Sequence, residues 1–113
     1  MRTLAEAYVR EDRWDDLVDL LKENPGLSHL KSYREYLADD YPDALLDMYG
    51  VALRDYARKN TGRKYYREIV GILNSLHSVA GGTKFVRNIV EEFRETYQRR
   101  PAMQEELEKV RVN

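Results

Sequence analysis

The stretch RKYYREIVGILNSLHSVAGGTKFVRNIVEEFRETY, residues 63–97, decides the fold of this chain. On each side of the glycine pair Gly81-Gly82, apolar residues recur every three or four positions, the spacing that places them on one face of a helix. The predicted buried stripes are Tyr66, Ile69, Val70, Leu73, Leu76 and Ala80, then Val86, Ile89, Val90, Phe93 and Tyr97. The stretch therefore predicts two helices joined by a glycine turn, with Thr83 as the N-cap of the second.

The same period extends outward and predicts about seven helices in all. The predicted starting residues are Thr3 (with Glu6 as a capping box), Asp12, Ser28, Pro42 and Pro101. The predicted breaks are Asn24-Pro25-Gly26 and Asn60-Thr61-Gly62, with Gly62 suited to a left-handed cap. The remaining stripes are Leu4 and Tyr8; Trp14, Leu17, Val18 and Leu21; Leu30, Tyr33 and Leu37; Leu45, Tyr49, Ala52, Leu53 and Tyr56; and Met103, Leu107 and Val110.

Short connections predict that each helix runs antiparallel to its neighbour. We therefore expect residues 1–113 to form one all-α domain, an array of antiparallel helix hairpins that is either a TPR-like superhelix or a compact bundle. Helix pairs that begin near residues 28, 63 and 101 approach the repeat of about 34 residues of tetratricopeptide proteins. Trp14 and Leu17 fit the opening of that repeat, but Val18 stands where glycine is expected.

The charges are segregated along the chain. Residues 1–50 hold twelve acidic and six basic side chains, whereas residues 51–100 hold five and eleven. This pattern indicates either a dipole that orients the protein toward partners or helix faces that simply differ. The chain has no N-terminal apolar run typical of a signal peptide and no apolar stretch near the roughly 18 residues of a membrane span, so we expect a cytoplasmic protein.

The chain contains no pattern typical of an enzyme, a metal site or a cofactor site. Cysteine is absent, and neither His29 nor His77 belongs to a zinc-binding spacing. The two acidic groups, within residues 11–19 and 39–43, fit helix starts better than a calcium loop. The run 81–84, Gly-Gly-Thr-Lys, lacks the phosphate-binding signature and fits a turn. We expect no catalytic residue, no metal and no cofactor.

A basic segment around the predicted junction of the fourth and fifth helices is the candidate binding surface. It consists of Arg54, Arg58, Lys59, Arg63, Lys64, Tyr65 and Arg67. Such side chains can neutralise phosphates and stack on bases, which predicts a steep salt dependence of nucleic-acid binding. The other interpretation is that the cations stabilise a helix C-terminus through its dipole.

The chain has nine tyrosines, many for its length. Those on the apolar stripes are predicted to fill the core or a groove. Tyr36, Tyr41 and Tyr65 fall off the stripes. Exposed aromatic rings on a helical surface would be anchors for a peptide, although tyrosines also pack under neighbouring turns.

The runs YARKNTGRKYYREIV, residues 56–70, and YQRRPAMQEEL, residues 97–107, resemble the helical C-terminal region of bacterial SWIM zinc-finger proteins, and the likeness extends from Trp14 onward. The zinc motif of that family, C-x-C-x(n)-C-x-H, is absent, so the resemblance assigns no zinc ligand here. It implies that this chain is a C-terminal piece of a larger protein. It also implies a helical scaffold beside a zinc finger that would be the nucleic-acid element.

We therefore expect a non-enzymatic protein–protein interaction or scaffold module. Its partner would be another protein or the rest of a parent protein, with weak self-association left open and no membrane contact. The alternative function is a nucleic-acid accessory domain that uses the basic segment.

Overall fold

The chain folds into α-helices throughout the part that the computed structural model describes, residues 2–23 and 26–111. The helices are α1 Arg2–Arg10, α2 Trp14–Glu23, α3 Leu27–Leu37, α4 Pro42–Lys59, α5 Arg63–Ser75, α6 Gly82–Thr96 and α7 Pro101–Leu107. A short 3₁₀ helix, Leu76–Ser78, follows α5 directly. The predicted all-α class with about seven helices is confirmed, and no strand occurs among the described residues.

The chain divides into two compact units, unit 1 Met1–Ala52 and unit 2 Leu53–Asn113, so that the boundary falls inside α4. In unit 1, α2 packs against α1 and α3. In unit 2, α7 packs along α5, and the 3₁₀ helix packs against α6. Whether the chain is one domain of a larger protein stays a prediction.

The predicted stripes form most of the buried surface, because helical periodicity alone determines which side chains share a face. Of the stripe residues, 22 are buried: Leu17, Val18, Leu21, Leu30, Tyr33, Leu37, Leu45, Tyr49, Ala52, Leu53, Tyr66, Ile69, Val70, Leu73, Leu76, Val86, Ile89, Val90, Phe93, Met103, Leu107 and Val110. Two predicted core residues are wrong. Leu4 is 45% exposed, and Ala5 is buried in its place. Ala80 is exposed, and Val79 is buried instead.

The predicted proline and glycine boundaries hold, whereas the predicted side-chain caps do not. Pro42 and Pro101 begin α4 and α7, in the first turn where a missing N–H leaves no hydrogen bond unmade. Gly81 adopts the left-handed conformation, with φ of 79°, and precedes α6. Gly62 also has positive φ, 131°, but it lies at the start of α5 rather than at the end of α4.

The cap assignments were wrong at Asp12, Ser28 and Thr83. Asp12 lies in the turn before α2 with φ of 55°, and α2 begins two residues later. Ser28 and Thr83 each lie inside their helices, which begin one residue earlier after a glycine. Gly26 and Gly81 precede these helices and have no side chain with which to cap them, and only Gly81 adopts the left-handed backbone that favours glycine.

Two further start and stop signals bear on the N-terminal helices. Thr3 also lies inside its helix, since α1 already includes Arg2. The predicted stop at Asn24-Pro25 lies outside the described residues.

Candidate functional site

The basic segment runs from the second half of α4 into the first turns of α5, and its cations are paired with carboxylates. Arg54 donates two hydrogen bonds to Glu92 of α6, at 2.8 and 3.0 Å. Arg58 and Lys59 both contact Asp55, one turn earlier in α4, at 2.7 and 3.1 Å. Hydrogen bonding by Glu92 raises the pKa of Arg54, and hydrogen bonding by Lys59 lowers the pKa of Asp55. Arg54 therefore ties α4 to α6, whereas Arg58 and Lys59 are paired within α4.

The α5 part of the segment converges on one buried carboxylate, Glu106 of α7. The side chain of Glu106 is 1% exposed, and it lies 3.7 Å from Arg63, 3.3 Å from Arg67 and 2.7 Å from Lys109. Arg63 also donates to the exposed Glu105 at 2.7 Å. The sequence pattern did not point to Glu106, because an acidic residue is almost never buried unless its partners surround it, and two of its three partners, Arg63 and Arg67, lie about 40 residues away.

The two aromatic members of this region pack beside the cations. The ring of Tyr65 lies edge-on to Tyr56, with centroids 6.0 Å apart, and Lys64 lies over Tyr65 at 5.6 Å. The Tyr56 hydroxyl donates to Glu68. Burial first, and then this bond, raises the pKa of Tyr56 to about 12. Among the six cations of the segment, Lys64 alone has no carboxylate within bonding distance in the described part of the chain.

We predict that Glu106→Gln destabilises unit 2 at neutral pH and that this loss of stability disappears at acidic pH. Hydrogen bonding from Lys109, against the opposing effect of burial, lowers the pKa of Glu106 below its ordinary value of 4.5. A carboxyl group whose pKa is lower in the folded state stabilises that state above its unfolded pKa, and the stabilisation disappears as the pH falls through the folded pKa. The wild-type and variant unfolding free energies should therefore differ at pH 7 and converge below pH 4.5.

Glu105→Gln is the matched control for this measurement, because Glu105 neighbours Glu106 and binds the same Arg63 but is 64% exposed. Glu105→Gln should lower the unfolding free energy by less than about 1 kcal/mol, as is usual for exposed ion pairs. Urea unfolding at several pH values measures both variants. Equal losses for the two variants would show that the buried carboxylate has no special role.

An exposed aromatic cluster lies in unit 1, where the start of α2 meets the end of α3. We define it as Trp14, Tyr36 and Tyr41. The rings of Trp14 and Tyr36 stack with centroids 5.9 Å apart and an interplanar angle of 18°. Tyr36 is 41% exposed, although its ring has a partner to pack on. Trp14 is half-buried, so the stacked pair leaves only part of its aromatic surface open to solvent.

Tyr41 is linked by a hydrogen bond to the residue that follows Trp14. The hydroxyl of Tyr41 donates to Asp15 of α2 at 2.9 Å and so joins the α3–α4 connection to the start of α2. This bond to a carboxylate, followed by burial, raises the pKa of Tyr41 above its usual 10.0. Of the three off-stripe tyrosines in the prediction, Tyr36 and Tyr41 belong to this cluster, and Tyr65 lies in unit 2.

Histidine contributes to loop structure in unit 2. The two ring nitrogens of His77 contact the hydroxyl of Thr83, at 3.0 Å, and the carbonyl of Arg111. Asn74 accepts from the backbone N–H of Arg111 at 2.7 Å. His77 thus joins the 3₁₀ helix to the residues after α7. Within residues 2–23 and 26–111, no three His, Asp or Glu side chains converge as ligands of a metal ion would.

A shallow groove of about 250 Å³ lies at the C-terminal end of α6, lined by residues 95–100. The guanidinium of Arg100 lies there over the Tyr97 ring at 4.2 Å and donates to the carbonyl of Ala57 at 2.7 Å. The guanidinium of Arg100 is therefore already bound within the protein and is not free to bind a ligand in the groove.

The described residues define an all-α protein with an exposed aromatic cluster in one unit and an ion-paired basic segment in the other. None of the protein-family models, curated proteins or solved structures compared with this chain matches it. In the described part of the chain, no helix has both the length and the apolar character needed to cross a membrane. The resemblance to SWIM proteins and the non-enzymatic role stay predictions.

Proposed function

We propose that this chain is a non-enzymatic protein-interaction module and that the aromatic cluster of unit 1 is its contact surface. The observation that carries the proposal is the stacked pair of Trp14 and Tyr36, with Tyr36 41% exposed. Tryptophan and tyrosine contribute most of the binding energy in many protein interfaces, because their rings bury a large area with few rotatable bonds.

Contacts within unit 1 hold the side chains of the cluster, which supports this proposal. Trp14 is half-buried and stacked, and the bond between Tyr41 and Asp15 joins the two segments that carry the rings. A surface whose side chains are already fixed loses less conformational entropy on binding than a flexible one. The cluster therefore offers an anchor of the kind found at the centre of an interface.

The alternative function, nucleic-acid binding through the basic segment, has less support. Five of its six cations already pair with carboxylates of the same unit, at 2.7 to 3.3 Å. Phosphate binding would have to compete with these pairs, and the nearby carboxylates repel phosphates. The geometry fits a structural role for the segment better than a nucleic-acid interface.

We also propose, from the sequence resemblance, a TPR-like scaffold region of a cytoplasmic SWIM zinc-finger protein. The chain itself has no cysteine, so a zinc finger would have to precede Met1 in a longer product. Sequencing the gene upstream of this region tests the proposal. A reading frame without a C-x-C…C-x-H motif upstream contradicts it.

Photo-crosslinking from position 36 tests the interaction surface. We expect Tyr36 replaced by p-benzoylphenylalanine to form an adduct with one defined protein in the producing cell. The same replacement at Tyr65, an off-stripe tyrosine of unit 2, is the matched control and should give no such adduct. Adding Trp14→Ala should abolish the adduct at position 36, because the side chain at that position loses the Trp14 ring on which Tyr36 normally stacks.

Mass spectrometry identifies the partner and the crosslinked segment. An adduct at position 36 no stronger than at position 65, or one unaffected by Trp14→Ala, would refute the aromatic cluster as the contact surface.

A further inference from the structure

The two units differ in how their charges are used. Unit 1 has twelve acidic and six basic residues, and unit 2 has eight and thirteen. In unit 2 the carboxylates Asp55, Glu92, Glu105 and Glu106 are held by cations. Several carboxylates of unit 1, in contrast, have no basic partner among the described residues. Unit 1 therefore presents uncompensated negative charge.

Some of that charge lies next to the aromatic cluster. Asp39 and Asp40 follow Tyr36 by three and four residues, both are exposed, and neither makes an ion pair or hydrogen bond within residues 2–23 and 26–111. Residues 38–40 form a single turn after the end of α3, and this turn is closed by a helix-type hydrogen bond from the N–H of Tyr41 to the carbonyl of Leu37 at 2.8 Å. Residues three and four apart in helical backbone share a face. Tyr36 and the two carboxylates therefore lie on the same side.

An exposed ring beside free carboxylates suits one type of side chain in particular. Arginine stacks its flat guanidinium on an aromatic face and donates to a carboxylate at the same time. The protein already contains this arrangement. Arg13 lies over the ring of Tyr8 at 5.0 Å while it donates to Asp16 at 2.7 Å.

We propose that the aromatic cluster, together with Asp39 and Asp40, binds an arginine-bearing segment of the partner protein. This inference rests on the proposed function and specifies the partner's chemistry. The arginine lies over the exposed face of Tyr36 or Trp14 and donates to Asp39 and Asp40. The negative charge of unit 1 attracts such a segment from a distance, so binding weakens as salt rises.

Trp14 is the single tryptophan of the chain, so its fluorescence reports on the cluster alone. The probes are three synthetic peptides of glycine and serine that differ in one repeated residue, which is arginine, citrulline or glutamate. Citrulline keeps the planar shape of arginine but has no charge. We expect the arginine peptide to change the Trp14 emission with a dissociation constant below about 1 mM, and the other two to bind at least about tenfold more weakly.

Matched variants locate the binding. Tyr36→Ala and the pair Asp39→Asn with Asp40→Asn should each weaken the arginine peptide about tenfold, whereas Tyr36→Phe, which keeps the ring, should retain binding. The pair Asp19→Asn with Asp47→Asn removes the same charge at two other exposed sites of unit 1 and should change affinity less than about twofold. Circular dichroism confirms that each variant is folded.

The outcomes separate this inference from the proposed function. The proposal of an arginine-bearing partner is overturned if the arginine and citrulline peptides bind equally well. It is also overturned if the two aspartate pairs, when changed to asparagine, lose the same affinity for the arginine peptide. If Trp14 does not respond to the arginine peptide while position 36 still crosslinks to a protein, the interaction surface stands and the arginine inference falls. If neither response occurs, both fall.

Discussion

Gly82→Ala is expected to lower the unfolding free energy of unit 2 by about 3 kcal/mol or more. Gly82 is buried at the start of α6, directly under the 3₁₀ helix. A Cβ atom added there would lie 1.8 Å from the carbonyl oxygen of Leu76 and 2.9 Å from its carbonyl carbon. The obstacle is backbone, so no rotamer change removes the clash, and the packing of the 3₁₀ helix on α6 must open.

Gly71→Ala is the matched control for this prediction. Gly71 is exposed in the middle of α5, and an added Cβ meets no atom within 4 Å. Alanine is the better helix former by roughly 1 kcal/mol, so this variant should be more stable than the wild type. Urea unfolding followed by the helical signal in circular dichroism measures both. Similar stabilities for the two variants would show that the approach of Gly82 to Leu76 does not constrain the fold.

Phe93→Ala is the second large change and should destabilise unit 2 by about 3–5 kcal/mol. Phe93 of α6 is 1% exposed, and its ring meets that of Tyr97 edge-on, with centroids 5.6 Å apart and an interplanar angle of 76°. Truncation removes apolar area from the core and leaves a cavity that the surrounding helices cannot fill. It also removes the ring against which Tyr97 packs.

Phe85, the other phenylalanine of the chain, provides the comparison because it lies in the same helix but is half-buried. Phe85→Ala should lower the unfolding free energy clearly less than Phe93→Ala, because less buried apolar area is removed. Thermal unfolding at a fixed pH is sufficient to rank the two variants by stability. A loss for Phe85→Ala as large as that for Phe93→Ala would contradict the assignment of Phe93 to the core.

The two units use their charged residues differently. Unit 2 uses its cations to hold its own helices, most clearly around Glu106. Unit 1 leaves carboxylates at its surface beside a stacked aromatic pair, and aromatic side chains are enriched in protein interfaces. The proposed interaction function therefore belongs to unit 1, although composition had drawn attention to the basic residues of unit 2.

Helix positions followed from local information. The spacing of Ile69, Leu73, Val86 and Phe93 requires one apolar face per helix, and proline or glycine marks the ends. Side-chain caps were harder to predict. Thr83, for example, lies inside α6 and contacts His77 rather than capping the helix, because the glycine before it already provides the backbone turn.

The sequence by itself determined which segments are helical and which residues face inward, because both depend on contacts within about four residues along the chain. Only the tertiary structure decided which charged groups pair with each other and which aromatic rings stack. The burial of Glu106, the pairing of Arg54 with Glu92 and the stacking of Trp14 on Tyr36 join residues 22 to 43 positions apart. Helical periodicity carries no information about such pairs, since it fixes the face of each helix but not the neighbour that the face meets.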